Sequence, residues 1–293
     1  MKSFKTVFFL IFFLFFFATA WGQNFDISFS VDWVKGEFSG QSSLNLNSAG
    51  IRLPGGRFLS EEILEDAFPQ LLRPHILSLR YDSNSTIADL LSRGELTLMD
   101  MDNIGHAAVR SPPSLSNDFL HLLANYNLNL NTLNSIIRPS RRFYEAVPPL
   151  IPVATAQYTG IIIIANGELP VHGRVGRVFV EPCLFPKIWD TEMNLIYERD
   201  MFEAGINGNY TMARYSTIDY IFNSSPSGLL SPLSDLLGSN PLRIIASGTY
   251  GINPTDLIID REDALLILSS ENNRRLLREG RVLIVLSEDA LIQ

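Results

Sequence analysis

The chain has 293 residues, of which 23 are Lys or Arg, 31 are Asp or Glu and one is Cys, with 46% of apolar types. That length supports one large domain or two smaller ones and excludes an obligatory disulfide-stapled mini-fold, while Cys183 alone builds neither an intramolecular disulfide nor a cysteine-rich metal site. The net charge of -8 falls to about -10 once Lys2 and Lys5 are set aside, and Arg141-Arg142 and Arg274-Arg275 are isolated pairs rather than a basic stripe, so nucleic acid is not an expected partner.

Lys2 and Lys5 precede an unbroken apolar run at 7–18 and the small residues Ala18 and Ala20. A short basic region, an apolar region and small residues are the three parts of an export signal. The run is shorter than the ~20 residues a spanning helix needs. A signal peptide is therefore expected over residues 1–22, cut after Ala20 or after Gly22, with an uncleaved membrane anchor as the alternative. No cysteine follows the cut, so lipid attachment is not expected. No later segment is apolar enough to span a bilayer, which makes membrane association at most peripheral.

The mature chain reads as two α/β lobes, 23–145 and 146–293, with one shared core left open. Phe25, Ile27, Phe29 and Val31 alternate as in a half-buried strand, and Lys35-Gly36 bends the chain towards a short second strand at Glu37-Phe38. After a turn at Leu53-Pro54-Gly55-Gly56, Ser60 is a candidate N-cap for a helix whose apolar face includes Leu64, Phe68 and Leu72. Pro69 and Pro74 predict a kinked helix or two short ones. Residues 75–83 fit either the helix end or a strand, and 86–91 is again helical. Strict alternation over 126–130 predicts a strand with its Asn residues on a solvated face. Pro139, Pro148, Pro149 and Pro152 make 138–156 the expected boundary between the lobes.

In the second half, Ile161 to Ile164 predict a strand buried on both faces. Residues 181–190 contain Pro182 and Pro186, which predicts an edge or connecting stretch rather than a central strand. Loops are expected at 205–209 and at 224–228, with a short strand within 213–221. A strand at 242–246, a turn-rich crossover at 248–255 and, at 257–259, a short strand or the approach to a helix follow. Asp260 is a candidate cap for a helical stretch that Ser270-Glu271 divides and Gly280 ends. A buried strand at 281–286 completes a strand-helix-strand unit. The expected fold class is α+β (mixed α/β), with antiparallel or mixed sheets, packed helices and that C-terminal unit.

No cluster carries a catalytic signature. His172 with Glu181 or Asp190 is a conceivable base and orienting carboxylate, but the spacing has no specificity. Cys183 reads as a small buried apolar residue. His106 and His121 lack a metal-ligand spacing, and Gly173-Arg174-Val175-Gly176-Arg177 reads as a turn or bulge rather than a phosphate loop. No catalytic residue, metal or cofactor is therefore expected. The aromatic and proline-rich stretch around Phe185 and Trp189, together with Tyr158, is the expected interaction surface.

The segments YTGIIIIANG at 158–167, EPCLFPKIWD at 181–190 and NPTDLIIDREDALLILSSENNRRLLREGRVLIVL at 253–286 resemble a family of exported spirochaete proteins. More distantly, the YTG strand, the Pro186-Lys187-Ile188 segment and the C-terminal end resemble the LPP20 and flagellar-assembly lipoprotein group. The resemblance implies a non-catalytic periplasmic protein associated with the cell envelope or flagellum, whose partners are envelope or flagellar-assembly proteins. It brings no catalytic set with it, and its Asn-Pro-Thr-Asp match at 253–256 reads as a turn. The alternatives are a secreted hydrolase using His172 with Asp190 or Glu181, and a periplasmic ligand-binding module.

Overall fold

The computed structural model describes residues 24–137, 143–222 and 231–291. The expected signal peptide, Arg141-Arg142 and the loop at 224–228 lie outside the described residues.

The first lobe opens with the antiparallel hairpin of β1 (Phe25–Asp32) and β2 (Glu37–Asn45). The second strand is thus longer than the Glu37-Phe38 pair suggests. There follow α1 (Arg57–Ser78), α2 (Ile87–Ser92), α3 (Leu98–Ala107), β3 (Val109–Arg110), β4 (Ser114–Leu115), β5 (His121–Asn129) and α4 (Leu130–Ile137). The sheet runs β1-β2-β5-β3, with β4 also on β5, and every pairing is antiparallel. Along β5, Leu122, Ala124, Tyr126 and Leu128 are buried while Asn125 and Asn129 face solvent, as the alternation predicts. Phe68 of α1 stacks on Tyr126 with ring centroids 3.3 Å apart.

Two local expectations are corrected, and a third, for Pro69 and Pro74, is narrowed from two alternatives to one helix. Helix α1 starts at Arg57, three residues before Ser60, whose hydroxyl donates to the Arg57 carbonyl at 2.6 Å instead of capping the N-terminus. Pro69 and Pro74 sit inside a single 22-residue helix. Burying Leu64, Phe68, Leu72 and Ile76 contributes roughly 1.5–3 kcal/mol each, enough to offset a cost of about 3 kcal/mol for each of the two interior prolines. The strand expected through Leu130 stops at Asn129, because Leu130, Leu133, Asn134 and Ile137 are buried at helical spacing.

Helices α2 and α3 each begin with a complete capping box, Thr86 with Asp89 and Thr97 with Asp100. Thr97→Ala is expected to lower the unfolding free energy by about 1 kcal/mol in urea denaturation. An unchanged midpoint with unchanged slope contradicts that assignment.

The second lobe contains β6 (Ile161–Ala165), β7 (Glu168–Pro170), β8 (Arg177–Phe179), β9 (Ile188–Asp190), β10 (Leu195–Tyr197) and β11 (Arg214–Ser216). It continues with α5 (Ile218–Phe222), α6 (Ser231–Leu237), β12 (Leu242–Ile245), β13 (Gly248–Tyr250) and β14 (Asp256–Ile259). The chain then forms α7 (Arg261–Leu268), α8 (Glu271–Arg278), β15 (Val282–Leu286) and α9 (Glu288–Leu291). A parallel sheet runs β11-β15-β6-β12. Ile161 and Ile163 face the main core, while Ile162, Leu283 and Val285 pack with Ile221, Leu233 and Leu237 on the other side. The four isoleucines therefore occupy a strand covered on both faces, as their β-branched run predicts.

A second, mixed sheet runs β10-β9-β14-β13. Strand β9 is an inner strand of it, flanked by β10 and β14. Pro182 and Pro186 do not prevent this, because both precede the three residues that enter the ladder. The expected crossover at 248–255 contains β13, which folds back antiparallel on β14. The C-terminal strand-helix-strand order is present, but β14 and β15 belong to different sheets, so α7 and α8 join two of the lobe's sheets rather than cross over within one.

Helices α7 and α8 divide at Ser269-Ser270, one residue before the expected Ser270-Glu271, and Gly280 ends the pair at φ +67°. A Cβ at Gly280 would lie 2.8 Å from the Phe202 ring, so both the backbone and the packing require glycine. One apolar cluster contains Phe38, Leu122 and Tyr81 of the first lobe together with Phe185, Tyr197, Ile163 and Ile284 of the second. The lobes share a core. The fold is α+β, with antiparallel, parallel and mixed sheets.

Candidate functional site

The seam between the lobes is built by the short segment that leaves α1. Leu184 N–H donates to the Arg80 carbonyl at 3.0 Å, Phe185 N–H to Tyr81 at 2.9 Å and Asn253 N–H to Ser83 at 2.9 Å. Arg80 pairs with Glu181, and Arg199 bonds to the Tyr81 hydroxyl and to Asp200. These contacts commit the backbone of residues 80–83 to the second lobe.

Asp256, at the start of β14, is fully buried at the centre of this seam. Its Oδ2 accepts from Ser83 Oγ at 2.9 Å and Trp189 Nε1 at 3.1 Å, and its Oδ1 accepts from Lys187 N–H at 3.1 Å. Burial pushes the Asp256 carboxyl above its ordinary range, and the three donors act against that push. The Asn-Pro-Thr-Asp segment is a turn through Thr255, as the sequence suggests, and its last residue supplies a buried polar junction. Its apolar flank, Leu257 to Ile259, is the signal that places Asp256 on a covered strand.

The expected interaction residues are drawn inward. Phe185 is 2% exposed and packs on Tyr81 with ring centroids 4.8 Å apart, so it anchors the seam rather than an external partner. Trp189 is half-buried, held by Asp256 and set edge-on to Tyr250. Tyr158 is half-buried, with its backbone N–H bonded to Asn273 Oδ1 at 3.0 Å. These residues were expected on a surface patch; Phe185 and Tyr158 instead belong to or pack on the main cluster, because aromatic side chains bury more area inside than a surface patch would cover.

The catalytic alternative finds no assembled pair. His172 is exposed and rests edge-on to Tyr250. Asp190 is 4% exposed and closes the turn between β9 and β10, accepting from the N–H groups of Glu192 and Asn194 at 2.9 and 2.8 Å. Glu181 is occupied by Arg80. Cys183 is buried, and desolvation raises its thiol far above its ordinary value, so it is a protonated filler rather than a nucleophile. Gly173 and Gly176 have positive φ in the turn between β7 and β8, in keeping with the reading of that stretch as a turn.

Residues 143–159 carry no helix or strand and run across α7 and α8. Asn273, 1% exposed, holds this connector: its Nδ2 donates to Ala156 O at 3.0 Å and to Leu266 O at 2.9 Å, and its Oδ1 accepts from Tyr158. Further ties run from Val153 N–H to Ser269 Oγ at 3.0 Å and from Arg278 to Glu145 at 3.0 Å. Between these anchors Val147, Leu150 and Ile151 are 73%, 103% and 82% exposed. The sequence shows the prolines of this segment but not that its aliphatic side chains point away from the core.

Beside the seam a cleft of about 530 Å³ opens between the lobes. Its first-lobe wall includes Trp33, Leu130 and Asn134, and its second-lobe wall Leu184, Arg214 and Tyr215. Asn131 spans its floor, accepting from Tyr210 N–H at 2.6 Å and donating to Gly208 O at 2.9 Å.

Taken together, the chain is an α+β protein of two lobes with a common core, a buried polar seam and an anchored connector. Residues 24–136 match the family model for the Treponema pallidum Tp0624 N-terminal domain, and residues 160–288 match the model for the second domain of the same protein. The two matches follow one another in the order of that protein's domains and indicate a spirochaete-specific family. No curated protein matches it. No helix among the described residues is long and apolar enough to cross a membrane.

Proposed function

We propose that this chain is a non-catalytic, exported protein of the periplasm or outer envelope that acts by binding other envelope proteins, flagellar-assembly components among them. The observation that carries this reading is the connector, whose exposed Val147, Leu150 and Ile151 form an apolar tip between fixed ends. Pro148, Pro149 and Pro152 fix their own φ, and each restricts the residue before it to extended backbone. The tip is therefore pre-organised, and a partner that covers it loses little chain entropy on binding. The basic, apolar and small-residue pattern of the leader supports export. The resemblance to flagellar-assembly lipoproteins supports the class of partner.

Crosslinking in intact cells followed by fractionation tests this. The full chain is expected in the envelope fraction joined to an envelope protein, while Leu150→Glu with Ile151→Glu leaves the melting temperature unchanged and reduces that adduct at least about tenfold, as loss of an apolar anchor worth ~1.4 kcal/mol or more requires. Recovery of the unmodified chain only as a free monomer overturns the reading.

A further inference from the structure

We infer that the open edge of β1 pairs antiparallel with β1 of a second copy of this chain, joining two first-lobe sheets into one across a two-fold axis at Ile27. Strand β1 ends its sheet, with β2 on one side and, among the described residues, no strand on the other. Asn45 N–H donates to the Asn24 carbonyl at 2.8 Å, which fixes the alternation along the strand. Asp26, Ser28 and Ser30 therefore turn their backbone groups to β2, and Phe25, Ile27 and Phe29 turn theirs to the open side. Among the described residues nothing bonds to the backbone of those three on that side. Val31, 6% exposed, already lies under cover and ends the accessible stretch. Natural sheets blunt such an edge with proline, lysine or a bulge. Strand β1 has none of these: its sequence is FDISFSVD, and its register with β2 is unbroken from Phe25 to Asp32. The Phe29 ring lies over Gly40 of β2 rather than across the edge.

The occupant follows from what the strand presents. Two antiparallel strands bond only where both turn their groups outward, so β1 meets a second β1 in registers that differ by two residues. With Ile27 opposite Ile27, Phe25 faces Phe29 of the second copy, and only the three open residues are used. On the wet face Asp26 then faces Ser28 and Asn24 faces Ser30, with no like charges opposed. One step towards the N-terminus sets Asp26 against Asp26, which is unfavourable, and one step the other way needs the covered Val31. The strand is thus complementary to itself in one register, the condition that a two-fold contact sets. On the opposite face Phe25 and Phe29 pack against the main apolar cluster while half-buried Ile27 does not, and the pairing brings the two Ile27 side chains together at the axis. So short a contact makes a reversible dimer. It lies on the first lobe, apart from the connector.

Sedimentation of the full mature chain over a concentration series tests this. A reversible monomer–dimer equilibrium is expected between about 10 and 500 µM. Ser28 is exposed, so its replacement leaves the core intact, and two variants read the register. Ser28→Asp sets a carboxylate opposite Asp26 of the second copy and is expected to weaken the dimer about tenfold or more. Ser28→Lys sets a cation there and is expected to dimerise at least as tightly as the natural chain. Ile27→Pro removes a donor on the open side without touching a bond to β2, and is expected to abolish the dimer with the circular-dichroism spectrum unchanged. A monomer at every concentration, whatever other chain the edge then takes up, overturns the inference. So does assembly that grows past the dimer, equal association of the two Ser28 variants, or a folded Ile27→Pro chain that still dimerises. None of these outcomes bears on the connector, whose partner is read by crosslinking.

Discussion

Asp256→Ala is expected to lower the unfolding free energy by about 3 kcal/mol or more. Three donors converge on this carboxylate from both lobes: Ser83 Oγ, Lys187 N–H and Trp189 Nε1. Truncation leaves all three without this acceptor. Asp256→Asn preserves the shape but turns an amide NH₂ towards at least one donor, and a cost of about 2 kcal/mol is expected. Urea denaturation at neutral pH measures both.

The pH dependence has a definite sign. The folded carboxyl of Asp256 titrates above its ordinary value of 3.8, with burial as the leading cause. An acid raised in the folded state contributes stability that is fully present below its unfolded value and is lost as pH rises through its folded value. The advantage of the natural chain over Asp256→Asn is therefore largest below about pH 4 and narrows above it. Taking the difference between the two proteins cancels the carboxylates with the opposite sign, such as Asp89, lowered by its capping bonds from Thr86. A gap that widens with rising pH contradicts the burial argument.

Asn273→Ala is expected to cost about 2 kcal/mol and to release the connector locally. The amide satisfies the Tyr158 N–H and the carbonyls of Ala156 and Leu266, and alanine replaces none of these bonds. Limited proteolysis is the discriminating measurement, with new cleavage expected within 143–159 before any within β6 or β15. Simultaneous loss of protection in all three segments would instead make Asn273 a determinant of global stability alone.

Much of the second lobe is legible in the sequence because one period dominates each segment. Four consecutive isoleucines have no wet face, and Gly280 follows the last helical residues in the position a left-handed helix end requires. Thr159-Gly160, part of a resembling segment in the sequence, has a physical role in the fold: Thr159 Oγ1 donates to Leu237 O at 2.6 Å, and a Cβ on Gly160 would meet the Leu237 backbone at 2.7 Å. Where two periods overlap, local pattern fails. Leu128 and Leu130 continue the alternation of β5, although Leu130 already belongs to the 3.6-residue pattern of α4. Prolines mislead at β9, which lies just beyond the reach of Pro186, whereas Pro69 and Pro74 leave open whether α1 is one helix or two and tertiary burial keeps it one. Composition also cannot separate an aromatic that seals a seam, such as Phe185, from aliphatic side chains such as Leu150 that a fixed connector holds outward. That distinction depends on Asn273 and Asp256, whose partners lie far away in the chain.

The most direct measurement places a photo-crosslinking amino acid at position 150 in intact cells, with the equally exposed Val175, 108% against 103%, as the control position. The reading of the connector as an interaction tip predicts an adduct with an envelope protein from position 150 and none with that protein from position 175. Equal capture from both positions, or no adduct from position 150 in the envelope fraction, contradicts it.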